Sequence, residues 1–163
     1  MRKKRCKAFL LSAFTLVLLL SVTACAGKAP KTIDTYASAK SDLYASAAEL
    51  EAAAQLVVRV EKTEQEENVA VPLSAQGAYH GYTLSEVSVK EVLTDSAGRN
   101  VQPGDRLQIL ENQFTYPEQD GTQATCHINR YVKMQPGKEY YLFLRYLEEN
   151  GYYVILSGLL GKV

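Results

Sequence analysis

The chain has 163 residues, with 18 Lys and Arg against 18 Asp and Glu, three cysteines, eleven tyrosines and no tryptophan. That length fits one domain behind a leader and counts against a two-lobed solute receptor. Five of the bases and none of the acids lie in residues 1–24, so the remaining 139 residues carry 13 bases against 18 acids, a net charge of −5. An acidic surface repels phosphate backbones, so no nucleic-acid partner is expected.

Residues 1–24 have the three parts of a secretory leader. A basic start (Arg2, Lys3, Lys4, Arg5, Lys7) precedes an apolar run over residues 8–22, and small residues follow. The run is shorter than the ~20 residues a spanning helix needs. Its end, Val22-Thr23-Ala24-Cys25, resembles the lipobox of bacterial lipoproteins. The resemblance implies signal-peptidase recognition at Val22, Thr23 and Ala24, a diacylglyceryl thioether on Cys25, and anchoring on the extracytoplasmic face of the cell membrane. Lipid chains hold because each buried CH₂ contributes about 0.8 kcal/mol. Cys6 then leaves with the leader and Cys25 takes the lipid, so Cys126 has no partner for a disulfide.

Residues 25–43 are poor in bulky apolar side chains and read as the lipidated cysteine and a flexible tether reaching about 25 Å. The domain follows at residues 44–163. Ser46 and Glu49 have the spacing of a capping box and predict a helix from Ala47 to about Ala54, with Leu50 and Ala54 on its buried face. Leu56-Val57-Val58-Arg59-Val60 predicts a strand, running into a stretch with Glu61, Glu64, Glu66 and Glu67 that reads as a solvated strand end or loop. Residues 68–81 read as a loop or frayed strand. Residues 82–93 predict the longest strand. There Tyr82 and Leu84 fall out of step with Val87 and Val89, which suggests a β-bulge near Ser85 and Glu86.

Pro103-Gly104 predicts a type II turn, followed by a strand over residues 106–111 with Leu107 and Ile109 inward. Residues 112–125, with Phe114 and Tyr116, read as a mobile loop, and residues 126–132 as a further strand. Asn150-Gly151 between two apolar runs, residues 140–147 and 152–156, is a strong hairpin signal. The fold class is therefore mainly β: a small barrel of five to six antiparallel strands with one short N-terminal helix.

Several of these segments, in order, resemble uncharacterised Gram-positive surface lipoproteins with a netrin-like OB barrel. They are Ser46-Ala47-Ala48-Glu49-Leu50, then Leu56 to Val60, then residues 87–93 before Pro103-Gly104-Asp105, then residues 136–144, and the closing Leu159-Leu160-Gly161-Lys162-Val163. The netrin-like group includes metalloproteinase inhibitors that chelate metal with a disulfide-pinned amino-terminal cysteine. Here Cys25 would carry lipid and has no partner cysteine, so that mechanism does not carry over.

Tyr140, Tyr141, Tyr146, Tyr152 and Tyr153 crowd the hairpin and mark a candidate surface for an unknown protein or glycan, since tyrosine joins an apolar ring to a polar tip. The expected function is thus a membrane-anchored binding or envelope-associated module, without cofactor or metal. The alternative is a small cell-envelope hydrolase using His80, Cys126 and His127. No Gly-x-Ser-x-Gly, His-Glu-x-x-His or phosphate-loop pattern supports it.

Overall fold

The structure is a computed structural model that describes residues 31–73, 77–158 and 160–163. The leader and the lipobox residues Val22, Thr23, Ala24 and Cys25 lie outside the described residues. Residues 31–163 make a compact unit with its own apolar core.

Eight strands and one short helix are described: β1 (Thr32–Ala37), α1 (Ala47–Ala53), β2 (Leu56–Pro72), β3 (Tyr79–Asp95), β4 (Arg106–Glu111), β5 (Gln113–Pro117), β6 (Gln123–Ile128), β7 (Glu139–Leu147) and β8 (Tyr152–Ile155). Strands β2-β3-β4-β8-β7 close into a barrel, and β1-β6-β5 form a second, three-stranded sheet. The fold is mainly β and OB-like. The barrel seams are antiparallel except β4 with β8, and β1 also joins β6 in parallel.

Alternation explains both faces of the barrel wall. Val58 and Val60 on β2, Val87 and Val89 on β3, Leu107 and Ile109 on β4, and Leu142 and Leu144 on β7 point inward and fill the core. Val57 and its cross-strand partner Phe143 point outward and meet Leu50, Ala54 and Leu156, so α1 packs on the outer face of β2 and β7. The Ser46 hydroxyl accepts the Glu49 N–H at 3.1 Å, and the Glu49 carboxylate accepts the Ala45 N–H at 2.6 Å. These bonds satisfy donors that a seven-residue helix leaves open.

Four expectations need correction. Within the predicted tether, residues 32–37 pair with β6, with Thr32 opposite Gln123. Of the two readings of residues 68–81, the loop fails and the frayed strand at residues 69–73 comes close: residues 68–72 and 79–81 extend the β2–β3 hairpin. The predicted loop at residues 112–125 contains β5, and Phe114 is buried; the strand expected at residues 126–132 is β6, which ends at Ile128. Finally, Thr83, Ser85, Val87 and Val89 all face inward, so β3 has no bulge at residues 85–86. The irregularity there is in β2, between the Lys62–Val87 and Glu66–Ser85 pairs, and β3 carries its extra residues elsewhere, at Lys90 and Leu93.

Candidate functional site

One end of the barrel interior is polar. Ser85 on β3 donates its hydroxyl to Glu111 Oε1 at 2.5 Å. The Tyr131 hydroxyl and the Met134 N–H both donate to Glu111 Oε2 at 2.7 Å. Glu111 has no exposed surface. Burial first, then the Glu111 carboxylate, drives the Tyr131 hydroxyl far above the ordinary tyrosine range. Lys162 donates to the Val132 carbonyl and lies 4.0 Å from the Tyr131 ring centroid; burial draws its ammonium down and Glu111 opposes that.

Lys62 is also fully buried. The irregular stretch of β2 turns the Thr63 and Gln65 carbonyls onto its Nζ at 2.6 and 3.0 Å, and Glu66 stands 3.6 Å away. Every buried side-chain polar atom among the described residues has a partner. Ser85, Glu111, Tyr131 and Lys62 are buried with their polar atoms satisfied, while Glu66 and Lys162 reach the surface.

The open concavities lie where residues 39–43 cross the barrel. A cleft of about 490 Å³ is bounded by Leu43, Ile128, Tyr131 and Leu160, with Asn112 and Asn129 supplying amides. A second of about 450 Å³ shares Ala39, Ser41, Asn112, Asn129, Ser157 and Gly158 with it and reaches Leu110, Val154 and Arg145. Leu110 and Val154 are paired on the outer face of β4 and β8, and Arg145 pairs with Val154 from β7. The crossing segment is pinned at Ala39. Its N–H donates to Asn129 Oδ1, and its carbonyl accepts from Asn129 Nδ2, both at 2.9 Å. Between Ala39 and α1, Asp42 faces Arg145 at 3.6 Å.

Two of the four non-glycine residues with positive φ among the described residues line these clefts; of the others, Arg130 lines a depression on the second sheet and Asn100 (φ 57°) lies beside Val101 and Gln102. Asn129 (φ 54°), Arg130 (φ 62°) and Ser157 (φ 58°) are left-handed without being glycine. Asn129 and Ser157 line the shared cleft. Such residues persist only where their surroundings hold them, and they concentrate at ligand sites. The sequence carried no signal for them, because Asn-Arg and Ser-Gly are ordinary loop dipeptides.

His127, Asp34, Tyr36, Arg130 and Val132 line a further open concavity of about 690 Å³ on the second sheet. His127 Nδ1 lies 2.8 Å from the Tyr131 carbonyl, and Nε2 lies 3.3 Å from Asp34 Oδ1. The ring stacks on Tyr36 with centroids 5.4 Å apart. Both nitrogens lie within hydrogen-bond distance of an acceptor. Cys126 is buried on the adjacent strand position, and His80 lies exposed on β3 opposite Val71. No hydrogen bond joins Cys126 to a histidine among the described residues. The structure does not assemble His80, Cys126 and His127 into a nucleophile and base.

The five hairpin tyrosines are divided as well. Tyr153 is buried, and Tyr140 and Tyr146 pack against the barrel core. Tyr146 meets Tyr153 edge-on at 4.8 Å and lies under Arg99, and the Tyr140 hydroxyl accepts from the Gln135 N–H at 3.0 Å. Tyr152 leans on Tyr82 at 6.1 Å, and Tyr141 is exposed. Alternation along the strands sends neighbours to opposite faces, so the five do not make one surface.

In comparisons with protein-family models, curated proteins and solved structures, nothing matches the chain.

Proposed function

We propose that the protein is a binding module held on the extracytoplasmic face of a cell membrane by lipid on Cys25. Its ligand site is the cleft beneath residues 39–43. The lipobox residues Val22, Thr23, Ala24 and Cys25 support the anchor. The observation that carries the binding reading is that two left-handed, non-glycine residues from different turns, Asn129 and Ser157, line one open cleft. The OB-like barrel supports it too, since barrels of that type commonly bind along one face. A site of about 490 Å³ falls in the range of small-ligand pockets.

The two halves of the reading have separate tests. Mass spectrometry of the membrane fraction should find lipid on Cys25, and Cys25→Ala should move the protein to the soluble fraction. An equal distribution of both forms would remove the anchor. A fragment screen by NMR on residues 25–163 with Cys25→Ala should shift the resonances of Asn112, Asn129, Ser157 and Gly158. Hits confined to other surfaces, or none, would remove the site.

A further inference from the structure

We infer that the cleft takes a carboxylate carried on an aliphatic body, and that Asp42 stands in for that carboxylate in the unliganded protein. The inference rests on the binding reading above and names the ligand's chemistry.

Three observations carry it. The first is the division of the cleft. Leu43, Ile128 and Leu160 make one stretch apolar, and Arg145 and Lys40 make the adjoining stretch basic. A ligand that fills both needs a greasy part and an anionic part. Leu43 is 90% exposed and Leu160 57%, so both apolar side chains are accessible to a ligand. The second is charge. Asp42 is the only acidic side chain lining these two clefts, against Lys40 and Arg145. Once the Asp42 side chain rotates away, with its backbone in place, the site holds two cations on a chain whose net charge after residue 24 is −5. A planar guanidinium is well shaped to take a carboxylate in two hydrogen bonds.

The third is the weakness of the internal contact. Arg145 and Asp42 stand 3.6 Å apart with side chains 46% and 54% exposed. An ion pair so open is worth little. The segment carrying Asp42 is fixed at Ala39 by two hydrogen bonds and again at the Ser46 cap, with no regular structure between. An incoming carboxylate can therefore displace Asp42 while the ends of the segment stay in place. Arg145 is then a ligand-binding residue and Asp42 an internal competitor.

The test is a titration of residues 25–163, Cys25→Ser, by calorimetry and NMR with three probes: octanoate, octanol and N-acetyl-leucyl-leucine. Octanoate should bind in the cleft about tenfold more tightly than octanol, the margin of a charge-assisted hydrogen bond. Arg145→Gln should bring octanoate down to the level of octanol, and Arg145→Lys should recover part of the difference. Asp42→Asn should tighten octanoate about three- to fivefold, because it removes the competitor, and leave octanol unchanged. Added salt should weaken octanoate only. A preference for octanoate over N-acetyl-leucyl-leucine assigns the carboxylate to a lipid, and the reverse assigns it to a peptide C-terminus. Equal binding of octanoate and octanol, an Asp42→Asn variant no tighter than wild type, or no binding of either carboxylate overturns the inference. Octanol bound in the cleft without octanoate would leave the binding site standing and remove its carboxylate chemistry alone.

Discussion

The Tyr131 hydroxyl and the Glu111 carboxylate meet at 2.7 Å in a site closed to water. Their bond ties the segment after β6 to the end of β4, and Met134 on the same segment completes both the apolar core and the set of donors to Glu111. Three donors converge on one carboxylate, so replacing it with an amide turns an N–H₂ toward groups that also donate. Glu111→Gln should lower unfolding stability by about 2–4 kcal/mol in urea titrations, and Tyr131→Phe by about 1–3 kcal/mol. The double variant should lose less than the sum of the two, because each removes the other's partner. Strict additivity would mean that the two residues contribute independently.

The same site predicts an alkaline weakness. The folded-state pKa of Tyr131 is raised, by burial first and then by Glu111. Its contribution is therefore complete below the ordinary tyrosine value of about 10 and is lost as pH rises beyond it, at up to ~1.4 kcal/mol per pH unit. Stability measured in urea from pH 9 to 11.5 should fall, and the fall should be shallower in Tyr131→Phe. Lys162, drawn down by burial, acts in the opposite direction just below its ordinary value, so Lys162→Gln should steepen the decline. An identical slope in wild type and Tyr131→Phe would show that Tyr131 ionises as freely folded as unfolded.

The apolar framework of the barrel was legible in the sequence because alternation and turn chemistry leave local marks. Val58 and Val60, Leu107 and Ile109, and the hairpin about Asn150-Gly151 stand where period-two patterning puts them. The polar interior was not legible. Ser85 and Thr83 on an inward face look like a break in pattern until Glu111 and Gln113 supply acceptors from other strands. A bulge at residues 85–86 of β3 follows only if inward means apolar. β1 was missed for a related reason. Its side chains are mostly exposed, so its pairing rests on backbone hydrogen bonds and on polar and ring contacts with β6 that leave no hydrophobic trace. The cleft was missed because its left-handed residues and its Asp42–Arg145 pair depend on segments far apart in the chain.

Gly81 marks a close approach that only the tertiary structure explains. A Cβ there would collide with the Val69 carbonyl across the hairpin and stand 2.7 Å from Phe114 Cδ2. Phe114 is 2% exposed, and its ring packs over the bare backbone of β3. Neither neighbour can yield, since one is backbone and the other is a packed ring. Gly81→Ala should destabilise the protein by about 1–3 kcal/mol, the usual cost of overpacking. Phe114→Leu in the same chain should recover part of that loss by making room for the methyl group. If the alanine variant unfolds at the wild-type urea concentration, the contact is looser than the structure describes.

Asn68 guards an edge. Its Oδ1 accepts from the Thr115 N–H at 2.7 Å, and its Nδ2 donates to the Thr115 carbonyl at 2.9 Å, so one side-chain amide occupies the two groups that a neighbouring strand would take. Strand β5 pairs with β6 on its other side, so without Asn68 it would present an unpaired edge. Asn68→Ala should cost only about 1 kcal/mol in stability, because the bonds are exposed and water replaces them. Its larger effect should be on association, with light scattering that rises with protein concentration while wild type stays flat. Asn68→Asp separates the two roles: it keeps an acceptor for the Thr115 N–H but sets a negative charge against the Thr115 carbonyl. It should lose about as much stability as the alanine variant and associate less, since like charges on facing edges repel. Should Asn68→Ala remain monomeric at every concentration, the cover over β5 comes from the bulk of the β2–β3 hairpin, and the amide serves only to set the register between Asn68 and Thr115.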